Sequence, residues 1–136
     1  MGLIVERSLK AYRECVFPAW KRRLESYLGF PVCIDVEWAS LLRPDMSIWC
    51  FQHLTEVYFL PLQYAIEQIA YDDLGRKALQ TNLLSIVVRN SKGNSDCLSM
   101  VTFEEGVLTI DHDPHTNVQE IYLRTEAIVQ CLEERI

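Results

Sequence analysis

Apolar residues recur at three- and four-residue spacing over the first segment, about Ile4 to Leu28. Leu9, Tyr12, Val16, Trp20, Leu24, Tyr27 and Leu28 fall on one face of a helix. Pro18 lacks an N–H and clashes with the turn before it, so it either kinks this helix or starts a second one near Phe17. Gly29 suits the position just past a helix end, and Pro31 prevents continuation. From Val32 to Leu41 the period becomes two. Val32, Ile34, Val36 and Trp38 face one way and Asp35 and Glu37 the other, which predicts a strand. Arg43-Pro44-Asp45 reads as a turn, and Ser47 to Gln52 as a second strand that pairs back. Leu54 to Leu74 returns to helical spacing through Leu54, Val57, Tyr58, Leu62, Ala65, Ile66, Ile69 and Ala70. Pro61 predicts a kink or a helix start, followed by a buried helix from Leu62 to Leu74 that Gly75 ends or bends. Asp72 and Asp73 then stand near a helix end, where the dipole disfavours negative charge, and call for a partner such as Arg76 or Lys77.

From Asn82 the period is two again. Leu83 to Arg89, rich in β-branched residues, is the strongest strand in the chain. Ser91 to Asp96 reads as a polar hairpin loop. Leu98 to Phe103 and Val107 to Asp111 form a further hairpin around Glu104-Glu105-Gly106, with Gly106 supplying the positive φ of the turn. Asp113-Pro114 closes the sheet. Thr116 with Gln119, or Asn117 with Glu120, fits a capping box for a last helix running to about Arg135. Its buried face is Val118, Ile121, Tyr122, Ile128, Val129 and Leu132. Its exposed side is Glu120, Arg124, Glu126, Glu133 and Glu134. Consecutive hairpins predict an α+β class: an antiparallel sheet of about three to five strands, packed against N-terminal, central and C-terminal helices. No repeat and no linker divides the chain, so residues 1–136 read as a single domain.

Composition adds little to this picture and charge adds more. The chain has 136 residues, 49% hydrophobic and 24% charged, enough to bury a core without a disulfide or a metal. Residues 1–93 hold 11 Lys and Arg against 10 Asp and Glu, whereas residues 94–136 hold 2 against 9, a net of −7. An acidic region disfavours nucleic acid and favours a basic protein partner. Lys21-Arg22-Arg23 reads as a solvated helix surface, since three adjacent helical residues point in different directions. The five cysteines are odd in number and lack C-x-x-C spacing, so they read as reduced, mostly buried thiols. Glu6, Arg7, Lys10, Arg13 and Glu14 interrupt any leader-like apolar run, and no charge-free stretch approaches the roughly 20 residues of a membrane span. A cytoplasmic location is the expectation. Trp20, Trp38 and Trp49 fall on predicted apolar faces and read as core.

One segment gathers groups capable of chemistry: Asp111-His112-Asp113-Pro114-His115. Strand alternation sends Asp111 and Asp113 to one side and His112 to the other, and Pro114 then turns the chain. Convergence on a metal needs the strand to end early, so the pattern favours a polar strand end. The sequence shows no P-loop, G-x-G-x-x-G, G-x-S-x-G or H-E-x-x-H. No catalytic residue, metal or cofactor is therefore expected. A small metal-dependent enzyme or metal-binding domain using Asp111, His112, Asp113 and His115 is the alternative reading.

Several strings in the second half carry a family resemblance. They are Tyr71-Asp72-Asp73-Leu74-Gly75, Val88-Arg89-Asn90, the run from Phe103 to His112 (FEEGVLTIDH), Thr116-Asn117-Val118 and Arg124-Thr125. Together, over residues 54–136, they resemble the immunity proteins that bacteria encode beside polymorphic or contact-dependent-inhibition toxins. The resemblance implies a non-enzymatic cytoplasmic protein that binds a cognate toxin domain, often a basic nuclease, and blocks its active site or substrate groove. The acids expected to be exposed and to meet such a partner are Glu104, Glu105, Asp111 and Asp113, with Asp72 and Asp73 as second choices. Neither nucleic acid nor a membrane is an expected partner, and the sequence leaves the oligomeric state open.

Overall fold

The computed structural model describes residues 2–42 and 51–136. Helix α1 (Leu3–Ala11) passes through a π turn (Tyr12–Val16) into α2 (Phe17–Leu28), which ends at Gly29. The N–H of Phe17 reaches back five residues to the carbonyl of Tyr12. A proline cannot donate the next helical hydrogen bond, and its ring presses on the preceding turn. The wide turn absorbs both problems, so the helix continues past Pro18, which is the second residue after the bulge. The same device recurs further on. Helix α3 (Gln52–Leu54) opens into a π turn (Thr55–Phe59), and Pro61 is the second residue of α4 (Leu60–Ile69). Both prolines thus follow a π bulge inside a helical run whose backbone stays right-handed on both sides of it.

The chain turns between α4 and α5 (Asp73–Asn82), and this corrects the helix expected to run from Leu62 to Leu74. Asp72 is the N-cap of α5, and its Oδ1 accepts a hydrogen bond of 2.8 Å from the Gly75 N–H. Asp72 and Asp73 therefore sit at the positive end of a helix dipole, not the negative one. Asp73 pairs with Arg76, whose other guanidinium nitrogen donates to the carbonyl of Ala70 at 3.0 Å. Gly75 is required by close approach: a Cβ there would stand 1.7 Å from the carbonyl oxygen of Ile69.

Strands β1 (Cys33–Val36), β2 (Ser85–Arg89), β3 (Val101–Glu104) and β4 (Val107–Asp111) form one sheet in the order β1-β2-β4-β3. Only β3 and β4 are antiparallel. The pairs β1/β2 and β2/β4 are parallel, so the sheet is mixed rather than antiparallel. The turn between β3 and β4 has positive φ at both central residues, Glu105 (52°) and Gly106 (81°), which matches the twist of a tight hairpin. The Ser91–Asp96 loop is not a hairpin loop. It starts the connection that carries the chain past β4's position to the sheet edge, so β4 returns between β2 and β3. Strand β1 stops at Val36, and a 3₁₀ turn (Trp38–Leu41) follows. The strand expected over Ser47 to Gln52 and the Arg43-Pro44-Asp45 turn fall outside the described residues, except Phe51 and Gln52 at the start of α3.

Helix α6 (Ile121–Glu133) completes the fold, packing on α4 and on β3. No capping box forms. Asn117 takes a left-handed φ of 54°, and Glu120 precedes the helix without a side-chain cap. The buried stripe is Arg124, Thr125, Ile128, Val129 and Leu132. Arg124, expected outside, is 0% exposed; Tyr122, expected inside, is 77% exposed. Periodicity explains both, because Arg124 lies one turn before Ile128 while Tyr122 lies about 120° around the helix from it. The core joins Leu24 and Leu28, Tyr58, Phe59, Leu62 and Ile66, Ile86 and Val88, Leu108 and Ile110, and Ile128 and Leu132. Trp20 and Trp38 are half-buried against it, with Trp38 edge-on to Phe17 at 5.3 Å between ring centres; Trp49 lies outside the described residues.

Gly75→Ala should destabilise the fold by more than about 2 kcal/mol, because backbone must move to admit the methyl group. Gly2→Ala, where nothing lies within 4 Å, should change stability by less than about 0.5 kcal/mol. Urea unfolding of the two variants checks the contrast.

Candidate functional site

Strands β2 and β4 end side by side, and Arg89 at the end of β2 meets the carboxylate of Asp111 at the end of β4. Asp111, at the end of β4, accepts hydrogen bonds from Arg89 Nε at 3.0 Å, from the Ser91 N–H at 2.9 Å and from the Ser91 hydroxyl. Arg89 also lies 3.7 Å from Glu37 Oε2, just beyond β1. Burial alone would raise the Asp111 pKa, but the donors from Ser91 and Arg89 outweigh it and hold the carboxyl below its ordinary value.

The chain then runs inward. His112 is 0% exposed, and its Nδ1 lies 2.5 Å from the carbonyl of Asp113. That contact assigns the proton to Nδ1. Burial pushes the imidazole pKa down and keeps the ring neutral, with the charge of nearby Arg124 acting in the same direction. The His112 carbonyl accepts from the Tyr58 hydroxyl at 2.5 Å, and burial drives the Tyr58 pKa well up. The Asp113 N–H donates to the Asn94 carbonyl at 2.7 Å, while its Oδ1 accepts from the His115 N–H at 2.8 Å. The His115 ring meets His53 at 5.6 Å between centres. Arg124 reaches up from α6 and donates to the carbonyls of Thr116 (2.7 Å) and Val118 (3.4 Å). Burial lowers its pKa. The whole cluster pins the link between β4 and α6.

Asp111 and Asp113 are therefore not exposed, as the strand pattern suggested, but buried. Glu104 and Glu105 are exposed at the β3/β4 turn, and Asp72 and Asp73 are exposed at the start of α5. The two acidic pairs lie toward opposite ends of α5, since Gly106 packs beside Asn82 and Leu84. Among the described residues, no three His, Cys, Asp or Glu converge to hold a metal ion, and no helix is long and apolar enough to cross a membrane. The described cysteines are free. Cys15 and Cys33 are exposed, against expectation, while Cys97 is buried and Cys131 half-buried, with thiol pKa values pushed up by burial. Sequence reasoning missed Arg124, Tyr58, Arg89 and Ser91 as members of the cluster. For Arg124 a signal was present, its helical spacing from Ile128 and Leu132. For Ser91 there was none, because its partner lies 20 residues away.

The surface divides differently from the interior. Within residues 94–136, Asp96, Glu104, Glu105, Glu126, Glu133 and Glu134 are exposed, against Arg135 as the one exposed cation among the described residues of that segment. Two grooves flank β3. One of about 1030 Å³ is lined by Arg89, Thr102, Glu104, Glu105 and Thr109, among others. The other, about 440 Å³, lies between β3 and α6.

Two outcomes test the buried cluster. Arg124→Met should lower stability by about 2–4 kcal/mol, because it strands two carbonyls and a cavity of different shape; urea unfolding measures it. The folded state holds the His112 pKa below 6.5, so the unfolded chain takes up the proton first on acidification. His112 therefore contributes full stability above pH 6.5 and loses it as the pH falls below that value. Melting temperatures measured from pH 8 to pH 5 should fall, and His112→Gln should flatten the fall.

No family model matches the chain, and neither a curated protein nor a solved structure does.

Proposed function

We propose that this chain is an immunity protein, which binds a cognate toxin domain and blocks its active site or substrate groove. The observation that carries the reading is the acidic surface around the β3/β4 hairpin and α6, where the exposed carboxylates of residues 94–136 face solvent against Arg135 as the one exposed cation among the described residues of that segment. Potentials of one sign steer a partner of the other sign and raise the association rate. A basic nuclease domain suits this surface, since it needs lysines and arginines to hold phosphates. The ionisable groups that could have served chemistry support the reading in another way: Asp111, His112 and Arg124 are engaged in holding the chain. Glu104 and Glu105 are the first contacts. Asp72 and Asp73 form a second patch, flanked by Tyr71 and Leu74, which are 86% and 80% exposed and can anchor a partner by apolar contact.

Co-expression with the toxin domain encoded by the adjoining reading frame tests the reading. Cells should survive with the wild-type protein, and their death would refute it. Charge reversal, Glu104→Lys with Glu105→Lys, should lower the association rate of the purified pair about tenfold and weaken its salt dependence, with little change in dissociation.

A further inference from the structure

We propose that the free edge of β3 takes an extended, lysine- or arginine-rich segment of the partner as a fifth strand of the sheet. The proposal rests on the reading of the chain as a toxin-binding protein and narrows that reading to one edge.

The backbone supplies the first part. The Asp111 N–H bonds to the Met100 carbonyl at 2.8 Å, which makes Met100–Asp111 a hydrogen-bonded pair of the ladder. Alternation then makes Thr102–Thr109 and Glu104–Val107 hydrogen-bonded pairs too. The N–H and C=O groups of Val101 and Phe103 therefore point away from β4. Among the described residues, no hydrogen bond takes them. Edge strands are blunted by shortness, charge, a proline or a bulge; β3 (VTFE) is short, with four residues, and its one charge is the acidic Glu104, but it has no proline, lysine or bulge.

Shape supplies the second part. The 440 Å³ groove runs beneath this edge, with Val101, Ala127 and Cys131 on its lining and Leu98, 75% exposed, beside them. Side chains of an added strand alternate, and every second one would enter this groove over the short side chains of Ala127 and Cys131.

Charge names the occupant. Glu126 and Glu134 border the groove, and Glu104 and Glu105 stand at the end of the strand; Arg135 is the cation on this groove, and Arg89, on the other face of the sheet, is paired with Asp111 and Glu37. A segment with Lys or Arg at alternate positions meets these acids as its backbone pairs with Val101 and Phe103. A second copy of this chain fits less well, because pairing β3 with itself brings two Glu104-Glu105 pairs to one edge.

The probe is a capped alternating peptide, acetyl-Lys-Val-Lys-Val-Lys-Val-amide, added to the whole protein while amide hydrogen exchange is followed residue by residue. The expected result is exchange slowed at least tenfold at Val101 and Phe103. Val101→Pro removes one outward donor and leaves the β4 ladder intact, so it should weaken the peptide at least tenfold without loss of fold. Should that variant not fold, Glu104→Gln with Glu105→Gln in the same exchange measurement decides. It should weaken the peptide and make its binding less salt-dependent. Absence of binding, or binding that leaves the Val101 and Phe103 amides unchanged, overturns the proposal. Slow exchange at both amides without peptide, with a doubled mass by light scattering, overturns it in favour of a second copy. Repeating the exchange with the toxin domain separates the two readings. If cells are protected but the β3 amides do not change, the edge proposal fails and toxin binding stands. If the peptide protects β3 but co-expression does not protect cells, the edge stands and the toxin reading fails.

Discussion

The Asp111 carboxylate lies at the point where β2 and β4 end, and the ordering of everything after the sheet depends on how it is satisfied. A buried carboxylate without donors would cost several kcal/mol or give up its charge. Here Arg89 brings the end of β2, Ser91 brings the first turn of the following loop, and Glu37 extends the charge network past β1. The chain beyond β4 does not leave toward solvent at that corner. It passes inward, and His112, Asp113 and Pro114 are buried in succession. Their backbone groups then need partners, and Tyr58 and Asn94 provide them. Arg124 does the same for the carbonyls of Thr116 and Val118 one segment later. The position of α6 against α4 follows from this chain of obligations as much as from its apolar stripe.

That arrangement also sorts the acidic residues of the last third of the chain. Asp111 and Asp113 go inside, where they hold structure, and Arg124 goes inside with them. The remaining acids stay on the surface around β3 and α6. A net charge counted along the sequence treats all of these alike. Divided by burial, it becomes a surface with a direction, bordering a strand edge whose outward backbone groups have no partner among the described residues.

Local features of the fold were legible where local physics decides them. Both prolines marked a disturbance of the helix, a π bulge in each case, because a missing N–H and a bulky ring act on the adjacent turn whatever the rest of the chain does. The tight hairpin at Glu105-Gly106 was legible because positive φ has few routes in sequence. Asp72 and Asp73 were placed at the wrong end of a helix, since the break after Ile69 depends on Gly75 meeting a carbonyl of the preceding helix. Glu104 and Glu105 were read correctly as exposed, because a two-residue turn leaves its flanks in solvent. Asp111 and Asp113 were not, because alternation tells which side of a sheet a residue faces and not what covers that side.

The amino-acid sequence by itself determined the succession of helices and strands, the hairpin, the apolar stripes and the crowding of acids into the last third of the chain. Each of these is a matter of spacing between near neighbours. Only the tertiary structure decided that the sheet is mixed, with β4 between β2 and β3, since a loop of this length can reach either side of β2 and the choice lies in long-range pairing. It also decided that Arg124 is an interior residue and Tyr122 a surface one. A guanidinium belongs inside only where carbonyls are waiting for it, and those of Thr116 and Val118 are brought there by the buried path of the chain after Asp111.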